Sequence, residues 1–323
     1  MTPILGNALA QNAFLTAMRG PSLHHAWLFT GAQGRGKGSF ARAAASRLLA
    51  EAAGEILFDG LAVPDTSRTR NLIAAGAHPD YRVLQRLTKD GKEDADLVRS
   101  ITIAQVRTLQ PMFATSPTMS PRRVVIIDAV DDLERGGANA LLKNLEEPPA
   151  GTIFLLISHA PGRLLPTIRS RCRLLRFDAL DAVSVEAVVR AQSPDASEAE
   201  IAALVKAGEG SPGRALGYAG LDLAALDTMI ARIAQDGDAS NVARSKLAKV
   251  LALKAAQPRY DAFLDRAPAF IAAEAGRRSG PQLREALDAY DAARALSSSA
   301  RSLSLDQQGT VFEMAGLVAR LAR

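Results

Sequence analysis

AWLFTGAQGRGKGSF, residues 26–40, runs from a short apolar segment through four glycines into a stretch rich in Ala, Arg and Leu. It reads as a strand, a tight turn and the start of a helix. The phosphate-loop template is G-x-x-x-x-G-K followed by Ser or Thr, and it requires this context. Gly31, Gly36 and Lys37 meet its first three demands. The last position is Gly38, which has no hydroxyl to ligate Mg²⁺. Ser39 does not replace it, because one step along a helix turns a side chain by about 100°.

Outward from this loop, strands and helices alternate. A helix is expected over residues 38–53, an irregular stretch over 59–79, a strand at Tyr81–Leu84 and a charged loop from Lys89 to Asp96. Helical spacing follows from Ile103 to Phe113, then a β-branched run at Arg123–Asp128, a helix from about Gly137 to Leu145 and an apolar strand at Thr152–Ser158. Near-continuous apolar strands interleaved with helices imply a parallel sheet covered on both faces. The N-terminal domain is therefore α/β and extends to Asp178. Residues 179–220 read as short helices interrupted by Gly and Pro, forming a small helical domain. Residues 221–323 carry helical periodicity and no strand signal, forming an all-α domain.

A chain of 323 residues accommodates these domains. Its 5% aromatic content argues against a stacking wall for single-stranded nucleic acid. A single cysteine, Cys172, rules out an internal disulfide and a multi-cysteine zinc site. No apolar run approaches the ~18 residues of a membrane span, and no basic start precedes an apolar N-terminal core. A cytoplasmic protein is expected. Residues 1–178 hold 22 Lys and Arg against 16 Asp and Glu, a mild basic excess compatible with phosphate contact or with an ordinary solvated surface.

Three features bear on chemistry. Asp128 ends the 123–128 strand, where the carboxylate partner of a phosphate loop holds the Mg²⁺ shell. The next residue is Ala129 where hydrolysing members of the class place Glu, and Asp131 and Asp132 lie farther on. The absent hydroxyl at 38 and the absent carboxylate at 129 both argue against hydrolysis. Arg163, Arg169, Arg171, Arg173 and Arg176 fall within fourteen residues and suit phosphate contact. Cys172 lies among them without a His and carboxylate signature, and reads as a small packed residue. The four histidines show no metal-ligand spacing, so no metal is expected.

These features in this order resemble the AAA+ clamp-loader family. The signature helix Asn139-Ala-Leu-Leu-Lys-Asn-Leu-Glu-Glu-Pro-Pro149 is the strongest mark, beside His25–Gly31, His78-Pro79-Asp80 and Ile168–Cys172. The match is dense over residues 1–178, thinner through Gly210–Gly217 and only architectural beyond. It implies an AAA+ domain, a lid over 179–220 and an oligomerisation collar over 221–323. Gly38 and Ala129 fit the family's non-hydrolysing branch, in which Gly31, Gly36, Lys37 and Asp128 form a degenerate nucleotide site. Arg171 would be an arginine finger acting in trans, with Ser170 and Cys172 at the same interface. Ser158 and Arg214 stand at the sensor positions. The resemblance implies no independent activity, no zinc, and ATP–Mg belonging to a neighbour. Its implied partners are the gamma/tau and delta subunits in a hetero-pentamer, with the sliding clamp and primer-template DNA reached through the complex. The alternatives are a gamma/tau-like ATP-hydrolysing motor or AAA+ helicase subunit, and a free-standing binding protein.

Overall fold

The computed structural model describes residues 5–20, 23–89, 97–303 and 305–322. Two compact units emerge, the first running to Asp195 and including Gly208–Arg214, the second formed by Ala196–Ala207 and Ala215 onward.

The first unit is built on five parallel strands: β1 (Ala26–Thr30), β2 (Tyr81–Gln85), β3 (Arg123–Asp128), β4 (Thr152–Ser158) and β5 (Arg173–Arg176). They lie in the order β2-β3-β4-β1-β5. Because side chains alternate across a strand, the apolar runs of β1, β3 and β4 feed two separate cores. Trp27, Phe29, Val124, Ile126, Leu155 and Ile157 face α1 (Ala8–Arg19) and α2 (Lys37–Ala52), where Phe14, Phe40, Leu48 and Leu49 are buried. Edge-to-face rings join this core, with Phe14 and Trp27 centroids 4.9 Å apart and Phe29 and Phe40 5.2 Å apart. Leu28, Val125, Ile127, Phe154 and Leu156 face the other way.

The helices after α2 are α3 (Arg68–Ala74), α4 (Ile103–Arg107), α5 (Gln110–Phe113), α6 (Arg135–Glu146), α7 (Pro166–Ser170) and α8 (Ala182–Gln192). Val106 of α4, Leu141 and Leu145 of α6 and Ile168 of α7 complete the second core. The expected parallel sheet with helices on both faces is present.

Several elements depart from the sequence expectation. The continuous helix over 103–113 is two helices, because Pro111 supplies no N–H to an uninterrupted ladder. The irregular 59–79 stretch contains α3, capped by Ser67 and held by Glu55, which accepts from Thr69 N. The N-terminal helix α1 and the edge strand β5 are additions. In β5 only Leu175 is buried, so its sequence shows no continuous apolar run. The charged loop expected from Lys89 lies at 90–96 outside the described residues.

From Asp178 onward every regular element among the described residues is helical. α9 (Glu198–Gly208) and α10 (Pro212–Gly217) precede α11 (Leu223–Asp236), α12 (Val242–Leu251), α13 (Gln257–Ala275), α14 (Gly280–Leu303) and α15 (Gln307–Ala319). In the second unit Leu226, Ile230, Leu251, Phe263, Leu264, Ile271, Val311 and Met314 form the buried faces of α11–α13 and α15. Ser297 of α14 donates its hydroxyl to the Leu264 carbonyl at 2.8 Å, joining two of these helices.

Candidate functional site

The strand register brings the phosphate loop, Asp128 and Ser158 to the carboxyl edge of the sheet. Thr30 pairs with Ser158, and Asp128 pairs with Ile157. Gly31 leaves β1 at φ +142°, and a Cβ there would collide with the Phe177 carbonyl. Gly36 precedes α2 at φ +82°. Both turn through backbone conformations that glycine adopts without steric cost.

Lys37 opens α2 and is 2% exposed. Its ammonium donates to the carbonyls of Gly31 and Ala32, both at 2.7 Å, so the lysine closes on its own loop. Burial, assisted by Arg35, lowers its pKa to about 8 against the opposing pull of Asp128 and Asp131.

The place beside Gly38 is filled. A Cβ on residue 38 would lie 2.9 Å from Arg42 Nη1 and 3.1 Å from Asp128 Oδ2. Arg42, one helical turn further along α2, meets Asp128 Oδ2 and Gln85 Oε1, each at 3.4 Å. A guanidinium thus faces the carboxylate that a metal shell would use. Ala129, which follows Asp128, is 3% exposed.

Asp131, in a 3-10 turn after β3, accepts from Ser158 Oγ at 2.8 Å, from His159 N at 2.6 Å and from Ala160 N at 3.3 Å. The polar group at the end of β4 is therefore committed to Asp131. Burial, and then Lys37, hold the His159 imidazole below the ordinary histidine range. The tip of the loop is covered by Gly208–Arg214. Ser211 Oγ donates to Gln33 O at 2.8 Å, and Gly213 N donates to Gly34 O at 2.9 Å. Arg214 pairs with Glu209 at 3.0 Å.

Ser170-Arg171-Cys172 occupies the other edge of the sheet. It precedes Arg173, which pairs with Trp27 near the beginning of β1. Cys172 packs on the core formed by Leu141, Leu145, Leu164 and Ile168. Burial pushes its thiol pKa up to about 12, consistent with a packed residue and not a nucleophile. Ser170 Oγ donates to Thr167 O at 3.1 Å. Arg171, anchored between them, is partly exposed, with its guanidinium held by Glu146 and the Thr167 carbonyl.

The structure thus gathers Gly31, Gly36, Lys37 and Asp128 at one edge and places Ser170, Arg171 and Cys172 at the other. Sequence reasoning missed Arg42, Glu209 and the role of Asp131. The spacing of Arg42, four residues after Gly38 on one helix face, was the available signal.

The model of the family described as DNA polymerase III, delta subunit, matches residues 6–181, more than half of the chain. The chain belongs to the DNA polymerase III delta subunit family. Within it, relatives at 33–39% identity include several delta-prime subunits. The delta-prime subunit of Pseudomonas aeruginosa is 39% identical over 166 residues, covering 50% of this chain and 46% of that protein. That of Bacillus subtilis is 37% identical over 165 residues, covering 51% and 45%. The tau subunit of Escherichia coli is 36% identical over 180 residues, covering 54% of this chain and 25% of tau. The chain spans about half the length of the curated delta-prime relatives it matches. A crystal structure of a gamma subunit-related protein of DNA polymerase III from Thermotoga maritima aligns with a TM-score of 0.50. It does so at 12% identity, over 97% of this chain and 100% of that one, a likeness of fold alone.

Proposed function

We propose that this chain is the non-hydrolysing stator of a DNA polymerase III clamp loader, supplying Arg171 to the nucleotide site of a neighbouring gamma/tau subunit. The observation that carries this reading is the separation of the two sites across the sheet. Arg171 precedes β5 at the amino edge, whereas Lys37 and Asp128 lie at the carboxyl edge. The five residues of β1 between those edges span about 16 Å at ~3.3 Å per residue, beyond the reach of a guanidinium toward its own loop. A neighbour's phosphate is the anion that a partly exposed arginine at this edge can serve, by stabilising charge on the γ-phosphate.

The state of the chain's own loop supports the silent half of the proposal. Two groups that a hydrolysed magnesium nucleotide uses are missing, since position 38 offers no hydroxyl and residue 129 is Ala, and Arg42 faces Asp128. A motor role would need each of these groups free or replaced. ATP and Mg²⁺ then belong to the adjacent subunit, and zinc has no part. In this reading the chain acts in the cytoplasm within a hetero-pentamer of gamma/tau and delta subunits. It helps open the sliding clamp and place it on primer-template DNA, with residues 1–178 as the AAA+ body, 179–220 as the lid and 221–323 as the collar.

The test is reconstitution with the cognate gamma/tau and delta subunits. Arg171→Ala should depress DNA-stimulated ATPase while leaving assembly intact by size-exclusion chromatography, and the isolated chain should turn over no ATP. Undiminished ATPase with Arg171→Ala would remove the finger; turnover by the isolated chain would remove the stator.

A further inference from the structure

We infer that Glu146 is a positioning residue that latches Arg171 until a γ-phosphate competes for it. The inference rests on the arginine-finger reading above and assigns its control to this chain.

Arg171 is not loose on the surface. Nη2 meets Glu146 Oε1 at 2.8 Å, while Nη1 donates to the Thr167 carbonyl at 3.0 Å. The guanidinium is thus laid along the chain's own surface between the ends of α6 and α7. Glu146 is the last residue of α6, and Glu147 follows it. Two carboxylates at the negative end of a helix are unfavourably placed. A nearby cation relieves that cost, and Arg171 is the cation in contact.

The pair is also weak enough to open. The Arg171 side chain is 34% exposed and that of Glu146 49% exposed, and ion pairs so exposed contribute little. Phosphate oxygens offer the same guanidinium an anion of higher charge. A latched finger therefore reduces the apparent affinity of this chain for an ATP-loaded neighbour by the fraction of time the finger is held. Toward an ADP-loaded neighbour, which presents no γ-phosphate, the latch has nothing to oppose.

The experiment measures the dissociation constant of the full chain for its full-length cognate gamma/tau subunit, with a non-hydrolysable ATP analogue and with ADP. Glu146→Ala should tighten binding about 1.5- to 5-fold with the ATP analogue, the range set by an exposed ion pair, and leave binding with ADP unchanged. Glu146→Gln should act like Ala, because charge and not shape holds the finger. In the Arg171→Ala background, Glu146→Ala should have no effect in either nucleotide. If Arg171→Ala leaves the ratio of the two dissociation constants at its wild-type value, the finger reading itself fails. If Arg171→Ala changes the ratio and Glu146→Ala does not, the finger stands and the latch is wrong. Equal weakening in both nucleotides, or rescue by Gln, would assign Glu146 a purely structural part and overturn the latch.

Discussion

Replacing Lys37 with Met keeps an unbranched stem of similar length in the loop and removes its ammonium. In the fold, burial and Arg35 bring the lysine pKa from 10.5 down to about 8. A base whose folded pKa is depressed binds its proton more weakly than the unfolded chain does, so its charge opposes folding. That penalty is full below pH 8. It is relieved as pH rises from 8 towards 10.5, where the folded state has lost the proton and the unfolded state still holds it. At 1.36 kcal/mol per pKa unit the gap amounts to about 3 kcal/mol. Wild-type stability should therefore climb relative to Lys37→Met by about 1.4 kcal/mol per pH unit across that window. Urea denaturation at a series of pH values measures it, and other titrating groups cancel in the difference between the proteins. Trp27 is the chain's single tryptophan, fully buried in β1 just before the loop, so its fluorescence reports the first unit specifically. Parallel stability curves from pH 7 to 10.5 would refute the enclosure of Lys37 by its own loop carbonyls.

Gly31→Ala should destabilise the first unit by about 3 kcal/mol or more, since the residue sits at φ +142° with its Cβ directed into the Phe177 carbonyl. A Trp27-monitored denaturation midpoint equal to wild type would contradict that geometry. The Cys172 thiol should resist a disulfide-exchange reagent in the native chain at pH 8 and react in urea, because the thiolate is suppressed by a pKa near 12. Stoichiometric native labelling within the reagent's ordinary mixing time would show it to be accessible.

The legible part of this fold was the part covered on both faces. β1, β3 and β4 declared themselves because each side chain in them meets a core, leaving an almost uninterrupted apolar run. β5 did not, because an edge strand with three exposed residues of four looks like a basic surface segment. α1 presents Ala10, Phe14 and Met18 at four-residue intervals, a signal available but blurred by the apolar Ala13, Leu15 and Ala17 between them. The candidate site was legible as a set of missing groups, the hydroxyl at 38 and the carboxylate at 129. What stands in their place depends on packing: Arg42 reaches Asp128 through helix rotation, and Asp131 reaches Ser158 through the register of neighbouring strands. Likewise Arg171 and Glu146 are 25 positions apart in sequence and meet because α6 and α7 end side by side.

The closeness of Arg42 to Gly38 also bears on how such a pocket changes over generations. A hydroxyl-bearing side chain at 38 arrives crowded by Arg42 Nη1 and Asp128 Oδ2. A carboxylate at 129 enters a position that is 3% exposed, where an unpaired charge is costly. The two positions therefore differ in what they tolerate: a side chain at 38 is admitted once the flexible ends of Arg42 and Asp128 swing aside, whereas a charge at 129 has to find a buried partner.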